Sequence, residues 1–85
     1  MRKKFVAGNW KMHGSRSMAA ALLKDIVADK PASIDVAVFP PFPYLAELAW
    51  QHAESGLGIG AQDVSEHQGQ GAYTGEVSAA MLLDI

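Results

Sequence analysis

The sequence predicts an α/β fold with a parallel sheet. Short apolar strands alternate along the chain with segments of helical periodicity, and this alternation is typical of β-α-β units. The predicted strand Ile34–Phe39 is apolar apart from Asp35, as expected for a strand covered on both faces. With 85 residues, the chain is long enough for one domain at most, spanning positions 1–85. Periodicity does not decide whether the sheet curls into a barrel, with helices on one face, or stays open, with helices on both.

The first predicted unit is a short strand followed by an amphipathic helix. Lys4–Asn9 has the apolar character of a strand, and Ser15 or Ser17 is placed to cap a helix that runs to about Lys30. Pro31 ends this helix because proline cannot continue it. The apolar stripe of the helix is predicted to consist of Met18, Leu22 and Ile26, with Leu23 and Val27 beside them.

The second and third units follow the same order. A helix is predicted to begin near Pro43, where the missing N–H costs nothing, and to end at Gly56. Its buried face consists of Leu45, Leu48, Ala49 and His52. A glycine-rich strand, Leu57–Ala61, then leads into a long polar loop, Gln62–Gly75, and a last helix begins near Ser78. The apolar, uncapped end of this helix gives the expectation that the sequence is the front of a longer protein.

The composition excludes several classes of function. Hydrophobic residues make up 49% of the chain and charged residues 19%, which is ordinary for a globular protein. The net charge of -2, with no basic stripe, leaves no electrostatic footprint for nucleic acid. The sequence has no cysteine for disulfides or thiolate metal sites, and no apolar run of membrane-spanning length. A soluble, cytoplasmic protein is therefore expected.

Several short motifs have simpler structural explanations. The stretch GLGIGA has G-x-G-x-G spacing within a strand, which favours close packing over a dinucleotide-binding loop. Pro40 and Pro43 form a PxxP, but a helix that starts with proline explains the same residues. The histidines are expected to be surface or packing residues because none has metal-ligand spacing with another: His13, His52 and His67.

Asn9 and Lys11 are the candidate functional residues. They lie where the first strand ends, and ligands of parallel α/β folds bind at the carboxyl ends of the strands. Lysine supplies a compact cation for a phosphate or a developing oxyanion, and the amide can orient the lysine or hold a ligand oxygen. A loop lysine that merely contacts solvent explains the same two residues without a ligand.

Four segments of the chain resemble the triosephosphate isomerase family. They are FVAGNWKMHG at Phe5–Gly14, VFPPFPYL at Val38–Leu45, GIGAQDVS at Gly58–Ser65 and GQGAYTGEVSAAML at Gly69–Leu82. The segments keep the family's order and extend over nearly the whole chain. The resemblance implies the first three β/α units of a (β/α)₈ TIM barrel. It also implies a homodimeric enzyme of glycolysis and gluconeogenesis that interconverts dihydroxyacetone phosphate and glyceraldehyde 3-phosphate without metal or coenzyme.

The resemblance also implies roles for individual residues. Lys11 matches the active-site lysine that holds the substrate phosphate and balances negative charge in the transition state, and Asn9 matches the asparagine that binds substrate and fixes this lysine. The Gly69–Glu76 loop matches the segment that inserts into the other subunit of the dimer. The implied dimer-interface residues are Met12, Phe42, Tyr44, Gln62, Tyr73, Thr74 and Glu76.

The family's histidine electrophile and glutamate base have no counterpart in these residues. A barrel of this type needs ~250 residues, so we expect the 85-residue chain by itself to be inactive. A non-catalytic folding or assembly fragment, self-associating through its open strand edges, is the alternative. A small phosphate-binding module is a weaker one, because a single lysine without a glycine nest or helix N-terminus makes a poor phosphate site.

Overall fold

The computed structural model describes residues 2–85 as three parallel strands with intervening helices. The strands are in sequence order, β1-β2-β3, and both pairings are parallel. The elements are β1 Lys4–Asn9, α1 Arg16–Asp29, β2 Ile34–Phe39, α2 Phe42–Gln51, β3 Gly58–Ile59 and α3 Ala79–Asp84. The predicted α/β fold with a parallel sheet is therefore confirmed.

The register of the strands determines which residues share a face. Val6 pairs with Val36 and Gly8 pairs with Val38, so these alternate residues lie on one side of the sheet. Val38 is buried in a core with side chains from both long helices and from the residue that precedes β3, namely Ala19, Leu23, Leu48 and Leu57. Both helices thus pack on the same face, which is the arrangement expected of a barrel segment.

Within residues 2–85 the other face of the sheet has no helix over it, so the expected cover on both faces of β2 is seen only in part: Ala37 on this face is buried, whereas Asp35 is exposed. This face carries Phe5, which is 63% exposed, and Asp35, which is also exposed and pairs with Lys3 at 3.1 Å. Near the carboxyl end, the Phe39 ring lies over Gly60, where an added Cβ would stand 2.6 Å from the ring. Within residues 2–85, the side chain that covers Gly60 on this face is therefore Phe39, which belongs to the middle strand of the same sheet.

Helix α1 begins as predicted, and three residues of its predicted apolar stripe, Leu23, Ile26 and Val27, pack in or against the core. The Ser15 hydroxyl accepts a hydrogen bond from the Met18 amide at 3.1 Å, which confirms the serine cap. Ala19 and Leu23 are the buried residues, whereas Met18 and Leu22 are 37% and 38% exposed.

Helix α2 and strand β3 are both shorter than predicted. Leu45 and Leu48 are buried as expected, but α2 ends at Gln51, well before Gly56. Gly56 instead supplies a φ of 79° in the turn that leads into β3. The assigned strand covers only Gly58–Ile59, although a hydrogen bond from the Gly60 amide to the Val38 carbonyl at 3.0 Å continues the pairing by one residue.

An exposed ion pair joins the two long helices. The Arg16 guanidinium donates to both carboxylate oxygens of Glu47, at 3.1 and 3.0 Å. The hydrogen bond and the charge of Glu47 raise the pKa of Arg16, and the same hydrogen bond lowers the pKa of Glu47. No helix within residues 2–85 has the length and apolar character needed to cross a membrane.

Candidate functional site

The carboxyl end of β1 carries the two residues that the sequence singled out. Asn9 is the last residue of the strand, and its Oδ1 accepts a hydrogen bond from the Lys11 amide at 2.9 Å. Lys11 has a φ of 54° and is the one non-glycine residue with a positive φ among residues 2–85. This conformation costs about 1–2 kcal/mol in a residue with a Cβ, so surrounding contacts have to stabilise it.

Trp10 separates the two polar residues and points away from them. Its amide donates to the Phe39 carbonyl at 3.2 Å, which continues the β1–β2 pairing by one residue beyond the strand. Its indole is partly buried against the core beneath the helices. The residues on either side, Asn9 and Lys11, are exposed. Alternation along the chain therefore directs the apolar ring into the core and leaves the polar pair accessible to a ligand.

Gln62 brings the third strand end to the same place. Its Nε2 donates to the Lys11 carbonyl at 2.9 Å and to the Phe39 carbonyl at 2.7 Å. The carboxyl ends of all three strands therefore meet around one carboxamide. From the sequence, Gln62 is predicted only as a dimer-interface residue. Its position as the first strongly polar residue after the third strand is the same signal that identified Asn9.

The arrangement at this edge suits a small anionic ligand. Within residues 2–85, the Lys11 ammonium forms no ion pair with a carboxylate. An unpaired ammonium can take up a phosphate oxygen or a developing negative charge, and the neighbouring amides can hold its backbone in place. Among the described residues, no group of three or more His, Cys, Asp or Glu side chains is arranged to hold a metal ion.

The polar loop, residues 62–77, is held by its own contacts. The Ser65 amide donates to the Val77 carbonyl at 2.8 Å, and the Ser65 hydroxyl hydrogen-bonds Glu76. The His67 ring stacks on Tyr73 with the ring centroids 3.7 Å apart and the planes 5° from parallel. The loop thus has a defined shape without a hydrophobic core beneath it.

Thr74 lies at an exposed turn of this loop. The Glu76 amide donates to the Tyr73 carbonyl at 3.1 Å, and Gly75, with a φ of 86°, completes the turn. Within residues 2–85, no hydrogen bond joins Tyr73, Thr74 or Glu76 to Asn9 or Lys11. The two groups of sequence-predicted residues are therefore separate in the single chain.

The remaining predicted interface residues lie between these two groups. Met12 is 94% exposed and Phe42 is 39% exposed. The Tyr44 hydroxyl donates to the Gly14 carbonyl at 3.2 Å. Together with Pro41, Met12 and Tyr44 line a shallow cavity beside the segment that follows β1. A groove with an exposed methionine and an aromatic ring suits an apolar or aromatic group from a partner.

The sequence of the chain is similar to those of known proteins from one family. The model of the family described as triosephosphate isomerase matches residues 4–85. The chain is 63% identical over 87 residues to a triosephosphate isomerase of Thiobacillus denitrificans, 55% identical over 86 residues to one of Stenotrophomonas maltophilia, and 51% identical over 86 residues to one of Xanthomonas campestris. Each match covers 100% of this chain and 34% of the relative, so the chain spans about a third of the length of the curated relatives it matches.

Proposed function

Because the chain belongs to the triosephosphate isomerase family, we propose that it supplies the substrate-binding lysine and asparagine of an enzyme that interconverts dihydroxyacetone phosphate and glyceraldehyde 3-phosphate. Its three parallel strands and covering helices form the first β/α units of a TIM barrel. Lys11 binds the substrate phosphate and balances the negative charge that grows as a proton leaves the substrate carbon. Asn9 contacts substrate and supports Lys11. The enzyme works in the cytoplasm.

One observation carries this proposal. Lys11 stands exposed at the carboxyl edge of a parallel sheet, with its amide bound by Asn9 and its carbonyl bound by Gln62. A lysine that merely contacted solvent would need neither contact, and it would not occupy a conformation that disfavours a side chain. The backbone is thus arranged around the lysine, as in a binding site whose geometry is formed before the ligand arrives.

Within residues 2–85, two groups able to transfer protons are engaged in other contacts. His67 stacks on Tyr73 in the polar loop, and Glu47 pairs with Arg16 on the helix surface. General acid–base catalysis contributes roughly 10²–10⁴-fold, and the family's histidine electrophile and glutamate base, which would supply it, have no counterpart among these residues. We therefore expect the purified 85-residue chain to show no isomerase turnover in a coupled assay. Turnover that disappears in Lys11→Ala would contradict this expectation.

A hybrid protein tests the assigned roles. In this hybrid, residues 1–85 replace the matching third of the Thiobacillus denitrificans relative. We expect the hybrid to be an isomerase, and Lys11→Ala to lower kcat more than Asn9→Ala, because the cation acts on charge that develops in the transition state. Lys24→Ala, an exposed lysine on α1, is the matched control and should leave kcat unchanged. Equal turnover of Lys11→Ala and Lys24→Ala would refute the proposal.

The partner of the complete enzyme is proposed to be a second copy of the same chain. The Gly69–Glu76 segment presents Thr74 at an exposed turn, and the cavity lined by Met12 and Tyr44 is open to receive such a segment. The dimer contacts would then involve Phe42, Gln62, Tyr73 and Glu76 as well. Sedimentation of the hybrid protein tests this: we expect a dimer that is weakened by Thr74→Arg, and a monomeric hybrid would exclude it.

A second function, a non-catalytic assembly fragment, is favoured by the open sheet of the 85-residue chain. Strands β1 and β3 each pair on one side only, and Phe5 and Val6 of β1 are 63% and 52% exposed. Unpaired strand edges are satisfied by pairing with another strand. Sedimentation of the 85-residue chain at several concentrations should show self-association. A compact monomer at high concentration that unfolds cooperatively would rule it out.

A further inference from the structure

Gln62 connects the candidate site to the core of the molecule. Its carboxamide donates one hydrogen bond to the Lys11 carbonyl at 2.9 Å and one to the Phe39 carbonyl at 2.7 Å. We propose that Gln62 is a positioning residue that holds the Lys11 backbone in its left-handed conformation and so fixes the ammonium at the edge of the sheet. This inference rests on the function proposed above for Lys11.

The strained backbone of Lys11 is the first argument. At a φ of 54°, Lys11 would relax toward a more favourable conformation unless its peptide groups were held. Two side-chain amides hold them: Asn9 accepts from the Lys11 N–H, and Gln62 donates to the Lys11 C=O. Asn9 lies only two residues away and moves with the same segment. Gln62 is 51 residues away, so it is the contact that ties Lys11 to a different part of the fold.

Gln62 is itself anchored to the central strand of the sheet. Its other hydrogen bond goes to Phe39, the last residue of β2, whose carbonyl also accepts from the Trp10 amide at 3.2 Å. The preceding residue, Val38, is buried in the core. The Gln62 side chain therefore holds Lys11 relative to the central strand β2, and not only relative to the exposed segment that contains Lys11.

The chemistry of the side chain is the third argument. A glutamine NH₂ presents two donors from one atom, which matches two carbonyl acceptors. Glutamate has the same shape but would direct acceptor oxygens at both carbonyls, and methionine has similar length without a donor. Asparagine keeps both donors but is one carbon shorter. Few side chains other than glutamine can therefore make both contacts without adding a charge.

Turnover of the hybrid protein, measured at a concentration at which sedimentation shows every variant to be in the same oligomeric state as the unmodified hybrid, provides the first measurement. We expect Gln62→Met to lower kcat by about 10- to 30-fold, the effect of losing two neutral hydrogen bonds. Gln62→Glu should lower it at least as far. Gln51→Met is the matched control, because this exposed glutamine makes one 3.4 Å contact with Glu47 on the helix surface. The control should stay within about two-fold of the unmodified hybrid, since surface substitutions away from special contacts have small effects.

Amide hydrogen exchange in the same variants provides a readout that a general loss of stability would not reproduce. Gln62→Met should speed exchange of the Lys11 amide by about ten-fold or more through local opening, and should leave the Leu23 amide of α1 unchanged. Faster exchange at both amides would mean that Gln62 only stabilises the fold, and would overturn the inference. A fall in kcat without faster Lys11 exchange, or faster exchange with an unchanged kcat, would also overturn it.

The proposed function of Lys11 and the proposed role of Gln62 would be rejected by different results. An inactive unmodified hybrid, or a Lys11→Ala variant as active as Lys24→Ala, would reject the proposed function of Lys11 and with it a positioning role in catalysis. An active hybrid that depends on Lys11, with Gln62→Met equal to Gln51→Met in kcat and in Lys11 exchange, would reject only the role of Gln62.

Discussion

The α/β layer, residues 4–61, and the C-terminal segment, residues 62–85, are stabilised in different ways. Among residues 2–85, all the buried apolar residues belong to the α/β layer, where Leu23 and Val38 lie at the contact of helix and sheet. The C-terminal segment contributes one buried residue, Ser78, and is shaped by hydrogen bonds, a ring stack and glycine turns. Burial of apolar surface makes the first region a cooperative unit, whereas the second depends on contacts that can open one at a time.

The difference bears directly on the candidate site. Asn9 ends strand β1 and Lys11 follows it two residues later, so the α/β layer places this segment at the edge of the sheet. The loop that carries Tyr73 and Thr74 has no core of its own, which is the condition under which a segment adapts to a partner. Gln62 lies at the junction of the two regions, and its two hydrogen bonds link the Lys11 backbone to Phe39 at the end of β2.

Truncation of one leucine in each region gives the largest expected contrast. Leu23→Ala in α1 should lower the free energy of unfolding of the chain by about 2–5 kcal/mol, because the side chain is fully buried. Leu83→Ala in α3 is the matched control. Its side chain is 88% exposed, and a change within about 0.5 kcal/mol is expected. Urea denaturation followed by circular dichroism measures both. Similar losses for the two variants would show that the C-terminal segment shares the core.

Each of the two regions contains a glycine that lies beneath an aromatic ring. A Cβ at Gly60 would stand 2.6 Å from the Phe39 ring, and a Cβ at Gly71 would stand 2.6 Å from the Tyr73 ring. Gly60→Ala should cost about 1–3 kcal/mol, since Phe39 is partly buried and fixed to the central strand. Gly71→Ala should cost at most the ring stack, about 0.5–1.5 kcal/mol, because the exposed Tyr73 can turn outward. A larger loss for Gly71→Ala than for Gly60→Ala in thermal unfolding would reverse the ranking.

The two serine caps test whether the regions unfold together. The Ser15 hydroxyl accepts from the Met18 amide at 3.1 Å, and the Ser78 hydroxyl accepts from the Met81 amide at 3.2 Å. Loss of either cap should cost about 1 kcal/mol. For Ser15→Ala we expect this loss in global unfolding, and for Ser78→Ala we expect faster hydrogen exchange confined to α3. A global loss in both variants would mean that α3 is part of the cooperative unit.

The smallest expected effect concerns acid stability of the α/β layer. The hydrogen bond from Arg16 lowers the pKa of Glu47 below its ordinary value of 4.5. A lowered pKa in the folded state means that the stabilisation is present above the unfolded pKa and is lost as pH falls through the folded pKa. Glu47→Gln should therefore lower the midpoint of urea unfolding slightly at pH 7 and have no effect at pH 2. Glu54→Gln, an exposed glutamate without an ion pair in the described part of the chain, should show no such dependence.

The elements and their order can be predicted from the amino-acid sequence, because the signals involved are local. Two strands begin and end where predicted, Lys4–Asn9 and Ile34–Phe39, and α1 begins at the predicted cap Ser15. A cap or a strand depends on residues within a few positions, so a single stretch contains the information. The same holds for Asn9 and Lys11, which follow a strand and therefore lie at its carboxyl end.

Which surfaces meet depends on contacts between residues that are far apart in the sequence. Helices can cover one face of a parallel sheet or both with the same periodicity, and here α1 and α2 share the face of Val38. The buried stripe of α1 includes Ala19 and Leu23 and leaves Met18 and Leu22 exposed, because contact with the sheet selects which side of the helix is covered. Gln62 reaches Lys11 across 51 positions of sequence, and such a contact exists only after the three strand ends have been brought together.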